Sequence, residues 1–203
     1  MQTFDPVEYK KMVKQYQEEN KPLDWFDTIY KNANGDYKKV FWADLEASPY
    51  LINWLNKNKI NKQAPKAIVI GCGVGDDAEA LSDFGFEVTA FDIAPTAIEL
   101  CKKRYPNTKV NYLVANLFEY DKSWIENFDL VYECNTIQVL PGEYRIKARV
   151  AISNLLDIGG YVLVSCRSRK ENKNLVVYFE GHNFYSLHFL IKLLQYDEKI
   201  LKK

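Results

Sequence analysis

This sequence has few histidines and cysteines, no excess charge of one sign and no long apolar run. Its 203 residues include two histidines, four cysteines and nine glycines, and its 27 basic side chains equal its 27 acidic ones. A balanced charge gives no overall field that attracts nucleic acid or an anionic membrane. No apolar run is long enough to cross a bilayer. These absences argue against a nucleic-acid or membrane partner and favour one globular domain.

Metal-binding, redox and hydrolytic motifs are also missing. The four cysteines lie far apart: Cys72, Cys101, Cys134 and Cys166. Their spacing fits neither a zinc knuckle nor a redox pair, and no Ser-His-Asp arrangement can be assembled. We therefore predict free thiols and no metal site. The N-terminus has neither the basic start nor the apolar core of a signal peptide, which favours a cytoplasmic location.

A glycine-rich turn is the strongest positive signal. The apolar segment 67–70 leads into Gly71-Cys72-Gly73-Val74-Gly75, and a helix is predicted over residues 76–84. A second apolar strand, 87–92, ends on the carboxylate of Asp92. This strand, turn, helix and strand form one half of a nucleotide-binding α/β sheet, in which that carboxylate can accept hydrogen bonds from ribose hydroxyls.

Two carboxylates begin the helix after the turn. A dinucleotide-binding turn would place its third glycine at position 76, where this chain has Asp76, followed by Asp77. Negative charge there opposes a pyrophosphate and suits a cationic or zwitterionic ligand. A nicotinamide-dependent oxidoreductase is therefore the less favoured alternative.

Strands and helices alternate through the rest of the core. Further strands are predicted at 110–114, 128–133 and 161–166, with helices at 96–104 and 143–156 and a turn at Gly159-Gly160. This order predicts an α/β fold of the Rossmann-like, doubly wound type with a mostly parallel sheet. Residues 1–60 are predicted to form an N-terminal helical lid and residues 61–203 the core.

Polar side chains follow three of the predicted strands. Asn116 follows the third strand, where it can face a ligand or form a turn. Asn135 and Gln138 follow the fourth strand, either orienting a substrate or capping a helix, and Arg167 follows the fifth, where it can hold an anion or lie in solvent. They are candidates because ligands of parallel sheets bind at the carboxyl ends of the strands.

The motifs resemble those of class I S-adenosylmethionine-dependent methyltransferases. Residues 69–77 are similar to the first motif of that family and residues 87–98 to its second. Residues 41–49 and 128–141, with Tyr144-Arg145, resemble the thiopurine, thiol and halide methyltransferase branch. The resemblance covers about residues 25–169 and implies S-adenosylmethionine as cofactor.

The resemblance also implies roles for particular residues. Gly71, Cys72 and Gly73 would line the methionine part of the cofactor, with Glu133 near its amino acid end. The remaining positions would surround the nucleoside and cover it: Asp92 at the ribose, Ile93, Asn116 and Leu117 at the adenine, and Trp42 and Leu45 above.

We therefore expect methyl transfer to a small-molecule nucleophile, most simply a thiol or similar soft acceptor. A cofactor-binding protein without activity is the alternative, because residues 170–203 are short for the family's C-terminal hairpin. They predict at most one further strand, at 176–179, and a helix at 184–194. An open sheet edge would allow either a monomer or a homodimer.

Overall fold

The computed structural model describes residues 5–167 and 174–180. Seven α-helices and six strands occur within those ranges. In chain order they are α1 (Pro6–Glu18), α2 (Trp25–Asn32), α3 (Pro49–Lys57), β1 (Lys66–Ile70), α4 (Asp76–Asp83), β2 (Glu87–Asp92), α5 (Pro95–Arg104), β3 (Asn111–Val114), β4 (Phe128–Cys134), α6 (Thr136–Val139), α7 (Gly142–Leu155), β5 (Leu156–Arg167) and β6 (Asn174–Glu180).

All six strands join one sheet in the order β3-β2-β1-β4-β5-β6. The first five are parallel, and β6 runs antiparallel beside β5. The predicted doubly wound, mostly parallel fold is therefore confirmed. The strand order reverses between β1 and β4, and ligands of such sheets bind in the crevice at the carboxyl ends of the two strands that flank this point.

Both faces of the sheet are covered, as the apolar strands require. In β1, Ala67 and Val69 contribute to the core on one face, while Ile68 and Ile70 contribute to the core on the other. Helices α1, α3 and α5 each begin at a proline, which suits the first helical turn. Gly85, at φ +93°, follows α4 in the left-handed conformation that its sequence position predicts.

The predicted start of the fifth strand is wrong. Strand β5 begins at Leu156, directly after α7, and continues through the two glycines expected to form a turn. The pairing register with β4 shifts between Phe128 and Leu130. A Cβ atom on Gly160 would lie 2.9 Å from the carbonyl oxygen of Asp129. The glycines therefore allow a close backbone approach at a bulge rather than a reversal of the chain.

Two further elements, β6 and α2, can be compared with the prediction. Strand β6 confirms the additional strand expected there, whereas the helix expected at 184–194 lies outside the described residues. Helix α2 was not predicted, although Trp25, Phe26, Ile29 and Tyr30 recur at helical spacing. Within the described ranges, no helix has the length and apolarity needed to cross a membrane.

Candidate functional site

The glycine turn after β1 forms a loop at the switch point of the sheet. Gly71, Gly73 and Gly75 have φ angles of +62°, +58° and +94°, which favour glycine. A Cβ on Gly71 would overlap the Thr136 hydroxyl, whereas one on Gly73 would meet only the Tyr30 hydroxyl at 3.5 Å. Gly71 is therefore fixed by its neighbours, and Gly73 leaves a backbone surface that a ligand can approach.

Cys72 contributes to this loop through its backbone. Its N–H donates to the carbonyl oxygen of Phe91 at 3.0 Å, which ties the loop to β2. Its side chain packs against the core on the face that holds the buried Cys101. A hydrogen bond with the neighbouring Cys101 thiol, together with burial, raises the pKa of Cys72 well above its ordinary value. The thiol is therefore protonated at neutral pH, and it is partly buried against the core while the peptide unit of Cys72 lies in the loop.

Asp92 ends β2 directly beside the glycine loop. Its carboxylate is buried, accepting a hydrogen bond from Gly73 N–H at 3.1 Å and another from Ala94 N–H at 2.9 Å. Burial outweighs these hydrogen bonds and raises the pKa of Asp92 to about 6. A carboxylate has about four acceptor positions, so capacity remains for the hydroxyl groups of a ligand.

Glu133 lies on the other side of the loop, near the end of β4. Its side chain is 1% exposed, and its Oε2 accepts hydrogen bonds from Thr136 N–H at 3.0 Å and Ile137 N–H at 3.1 Å. Its Oε1 has no partner within the described residues, and burial raises its pKa to about 7. A buried acceptor without a donor is costly, so this oxygen is suited to a donor from a bound molecule.

Thr136 joins these two strand ends and was missed by sequence reasoning. Its hydroxyl donates to the carbonyl oxygen of Ile70 at 3.2 Å, and its N–H binds Glu133. The end of β1, the glycine loop and Glu133 are therefore linked through one residue. Its position three residues after Glu133 was visible in the sequence, but its contact with Gly71 depends on strands far apart in the chain.

The expectation that Asp76 and Asp77 face a ligand is wrong. Asp76 accepts two hydrogen bonds from the Arg104 guanidinium, at 2.6 and 2.7 Å, with both side chains 13% exposed. Asp77 accepts from Ser48 N–H at 2.7 Å and from the Tyr132 hydroxyl at 3.0 Å. The two carboxylates therefore anchor α5, the segment before α3 and β4 to the start of α4.

Trp42 and Leu45 lie in the segment that packs over α5 and the glycine loop. The Trp42 indole N–H donates to the Tyr30 hydroxyl at 3.2 Å. Leu45 has φ +61°, and its carbonyl accepts from Arg104 at 3.4 Å. Both pack on a cluster that includes Val74 from the loop. Both residues therefore pack beside the glycine loop. Their covering of a cofactor stays a prediction, as does the assignment of residues 1–60 as an N-terminal helical lid.

The three residues expected near an adenine follow the ends of β2 and β3. Ala115 N–H donates to the carbonyl oxygen of Asp92 at 3.0 Å, so these ends are adjacent. The Asn116 side-chain oxygen accepts from Phe118 N–H at 3.0 Å, which forms a turn. Leu117 is buried, and Ile93 is partly buried against the same core cluster. Leu117 and Ile93 thus pack on the core, and the Asn116 oxygen is already engaged. A contact of these residues with an adenine stays a prediction.

Asn135 and Gln138 lie together at the carboxyl ends of β4 and β5. The Gln138 amide donates to Asn135 Oδ1 at 2.9 Å, and Asn135 N–H donates to the carbonyl oxygen of Ser165 at 2.8 Å. Asn135 has φ +60°, which Asn tolerates better than most residues. Arg167 is the last residue of β5 at the same edge, and only its backbone is described.

Known proteins resemble this chain in the region of the site. A family model described as "Methyltransferase domain" matches residues 68–164. A ubiquinone biosynthesis O-methyltransferase from Vibrio atlanticus (strain LGP32) is 23% identical over 170 residues, which is 83% of this chain and 65% of that protein. The corresponding protein of Thiobacillus denitrificans is 24% identical over 75% of this chain and 61% of its own length. This chain thus spans about two thirds of the length of these relatives.

Solved structures share the fold. A TehB-like S-adenosylmethionine-dependent methyltransferase from Corynebacterium glutamicum superposes with a TM-score of 0.55 and 19% identity, covering 80% of each chain. The glycopeptide N-methyltransferase MtfA, in complex with S-adenosylmethionine, gives a TM-score of 0.55 and 15% identity, covering 69% of this chain and 68% of that one. At these identities the likeness establishes the fold.

Proposed function

We propose that this chain, whose residues 68–164 match a methyltransferase domain, transfers a methyl group from S-adenosylmethionine to a small-molecule nucleophile. The observation that carries the proposal is the pair of buried carboxylates, Asp92 and Glu133, on either side of the glycine loop. Neither has a basic side-chain partner within the described ranges. Such a pair suits a ligand that carries both hydroxyl groups and a positive charge.

The residues around the loop fit the cofactor in chemistry as well as position. The absence of a side chain at Gly73 lets a ligand approach the backbone, while Gly71 allows the loop to pack against Thr136. The remaining contacts are a proposal: Asp92 accepts hydrogen bonds from the ribose hydroxyls, Ile93, Asn116 and Leu117 flank the adenine, Cys72 lines the methionine part with its peptide unit, Glu133 accepts from the ammonium group, and Trp42 and Leu45 cover the site.

The bound cofactor supplies an electrophilic methyl group on its sulfonium. The protein contributes by holding both reactants, since alignment of a nucleophile with the methyl group and exclusion of water account for much of the acceleration in a displacement. The hydrogen-bonded amides of Asn135 and Gln138 are placed to orient the acceptor, because they lie where β4 and β5 end. Arg167, at the end of β5, is the candidate partner for an anionic acceptor.

We propose a thiol, or a similarly soft nucleophile, as the acceptor. A thiolate is already anionic and needs no general base, which suits a site whose buried carboxylates are assigned to the cofactor. The curated relatives are O-methyltransferases by name, so a hydroxyl acceptor is the competing class.

A matched pair of acceptors tests this proposal. The protein is first titrated with S-adenosylhomocysteine by calorimetry, and then incubated with S-adenosylmethionine and either thiophenol or phenol while product S-adenosylhomocysteine is measured. Methylation of thiophenol supports the proposal, and methylation of phenol alone replaces the thiol by a hydroxyl acceptor. Binding without turnover of either acceptor would favour the non-enzymatic alternative. Absence of binding would overturn the proposed function.

A further inference from the structure

Strand β6 has a neighbouring strand on one side only, among the residues that the structure describes. It is the last strand in the order β3-β2-β1-β4-β5-β6, and its seven residues, Asn174–Glu180, pair with β5. Backbone N–H and C=O groups point alternately to the two sides of a strand, so about half of those in β6 point away from β5. This side of β6 is called the open edge. Such a row of backbone groups is a template for a further strand.

The open edge lacks the features that usually protect an edge strand from association. Residues 175–179 are Leu-Val-Val-Tyr-Phe, with neither a charged side chain nor a proline. Pairing with β5 is continuous from Arg167 opposite Asn174 to Tyr161 opposite Glu180, without the register shift that a bulge would produce. Natural edge strands avoid association through charged residues, proline, bulges or short length. A long, regular and uncharged edge therefore favours pairing with another strand.

The opposite side of the sheet offers a comparison within the same chain. There the last strand is β3, which has four residues, Asn111–Val114, against seven in β6. A short edge strand offers few backbone groups to a partner. We therefore expect association through β6 alone. A chain that associates through one edge forms a closed pair, whereas association through two different edges would build a fibre.

The residues of β6 are complementary to a second copy of the same strand. In an antiparallel pair centred on Val177, Asn174 lies opposite Glu180 of the other copy, so the polar ends meet. Leu175 lies opposite Phe179, and pairs of aromatic and aliphatic side chains stabilise antiparallel strands. No like charges meet in this register. The chain also has equal numbers of acidic and basic side chains, so two copies have no overall charge repulsion.

Residues 181–203 follow β6 directly and are the other candidate for the open edge. Their apolar run, 184–194, has the spacing that predicts a helix. The backbone groups of a helix are paired within the helix, so a helix cannot supply the row of hydrogen bonds that an edge strand requires. A second β6 strand offers both the backbone groups and the length that match the open edge.

We propose that the open edge of β6 is a dimer interface, at which the β6 strands of two copies of this chain pair in antiparallel orientation about a two-fold axis at Val177. Two sheets of six strands then form one continuous sheet of twelve. The two-fold axis reverses the direction of the parallel strands, so the two glycine loops lie at opposite ends of the joined sheet. The interface therefore does not depend on the proposed function.

A pair of proline variants tests this interface, because the N–H groups of residues 176 and 177 point to opposite sides of β6. Proline lacks the N–H and is tolerated in an edge strand only where that group would point outward. By sedimentation equilibrium, the wild type should have twice the mass of the 23.7 kDa chain. Either Val176→Pro or Val177→Pro should have the mass of one chain while keeping the circular dichroism and urea stability of the wild type. The other should lose stability, because it breaks a hydrogen bond to β5.

If neither proline variant folds, Val177→Lys replaces them, because it brings two like charges together at the two-fold axis. It should be a monomer, whereas Asn111→Lys, at an exposed position on β3, is the matched control and should stay a dimer. A dimer that persists in the folded proline variant or in Val177→Lys would place the interface elsewhere and overturn the proposal. A monomeric wild type would also overturn it. Slow hydrogen exchange at residues 175–179 in that monomer would assign the open edge to residues 181–203.

Discussion

Carboxylates at the two ends of the parallel strands have different partners. The end of the sheet where the parallel strands begin is called the amino edge here, and the end where they finish is called the carboxyl edge. At the amino edge, Asp129 forms an ion pair with Lys62 and accepts from Lys66 N–H at 2.8 Å. Asp157 binds the same Lys62 ammonium at 2.9 Å. At the carboxyl edge, Asp92 and Glu133 have only backbone N–H donors among the residues that the structure describes.

This difference separates a structural network from a binding site. At the amino edge, Lys62 lowers the pKa of Asp157, and the ion pairs hold the linker before β1 against β4 and β5. At the carboxyl edge, burial raises the pKa values of Asp92 and Glu133 to about 6 and about 7. Carboxylates kept buried without a cation destabilise the fold, so their presence is better explained by a ligand than by stability.

The largest effect is expected from a methyl group on the glycine loop. Gly71→Ala would place a Cβ against Thr136, 2.9 Å from its Cγ2, in a backbone conformation that alanine disfavours. We expect loss of measurable S-adenosylhomocysteine binding and about 2–4 kcal/mol of lost stability in urea unfolding, the sum of strain and overpacking. Gly85→Ala is the control, since Gly85 has a similar φ but no neighbour within 4 Å. It should lose about 1–2 kcal/mol and bind normally; equal behaviour of the two variants would contradict the loop assignment.

Asp92→Asn should produce the next largest loss of affinity. The amide keeps one oxygen for the Gly73 or Ala94 N–H but removes the charge and half of the acceptors that the ribose would use. We expect S-adenosylhomocysteine binding to weaken by about 1.5–3 kcal/mol in a calorimetric titration. Unchanged affinity would remove Asp92 from the site and leave it a support for the loop.

The same substitution at the opposite edge should act on stability instead. Asp129→Asn weakens the ion pair with Lys62 and a hydrogen bond to Lys66 N–H in a buried setting. We expect the free energy of unfolding to fall by about 1–3 kcal/mol, measured in urea, with S-adenosylhomocysteine affinity unchanged. A clear loss of affinity in this variant would show that the two edges are coupled and that the comparison between them does not hold.

Much of the carboxyl edge could be predicted because its signals are local. The apolar segment before Gly71 and the strand ending at Asp92 can each be recognised from a few consecutive residues. Parallel strands then bring their carboxyl ends together. Glycine residues in a loop also indicate its backbone conformation, since positive φ angles favour glycine. The succession of the first five strands along the chain and their parallel direction therefore follow from the sequence, whereas the start of the fifth strand does not.

The features that could not be predicted depend on contacts between residues that are far apart in the sequence. Nothing near Asp76 in the sequence reveals that Arg104 neutralises it, so its charge looked available to a ligand. The pair Gly159-Gly160 is compatible with either a turn or a bulge, and only the pairing register with β4 shows which of the two is formed. Tyr30 is visible in the sequence as an apolar helical position, whereas the direction of its hydroxyl depends on Trp42.

The smallest expected effect is a dependence of stability on pH that originates at the carboxyl edge. The folded pKa of Glu133, about 7, exceeds its reference value of 4.5, so the folded state binds the proton more tightly. The resulting stabilisation is fully present below about pH 4.5 and is lost as the pH rises to about 7. Across pH 5–8 the free energy of unfolding should therefore fall with rising pH, by at most about 1.4 kcal/mol per pH unit for each such group, and the urea midpoint should fall with it. Glu133→Gln should flatten this dependence, leaving the part due to Asp92, while Glu87→Gln, at an exposed position on β2, should not change it. A wild-type midpoint that stays constant from pH 5 to 8 would mean that Glu133 reaches solvent or a cation, and that the two edges do not differ in how they bury charge.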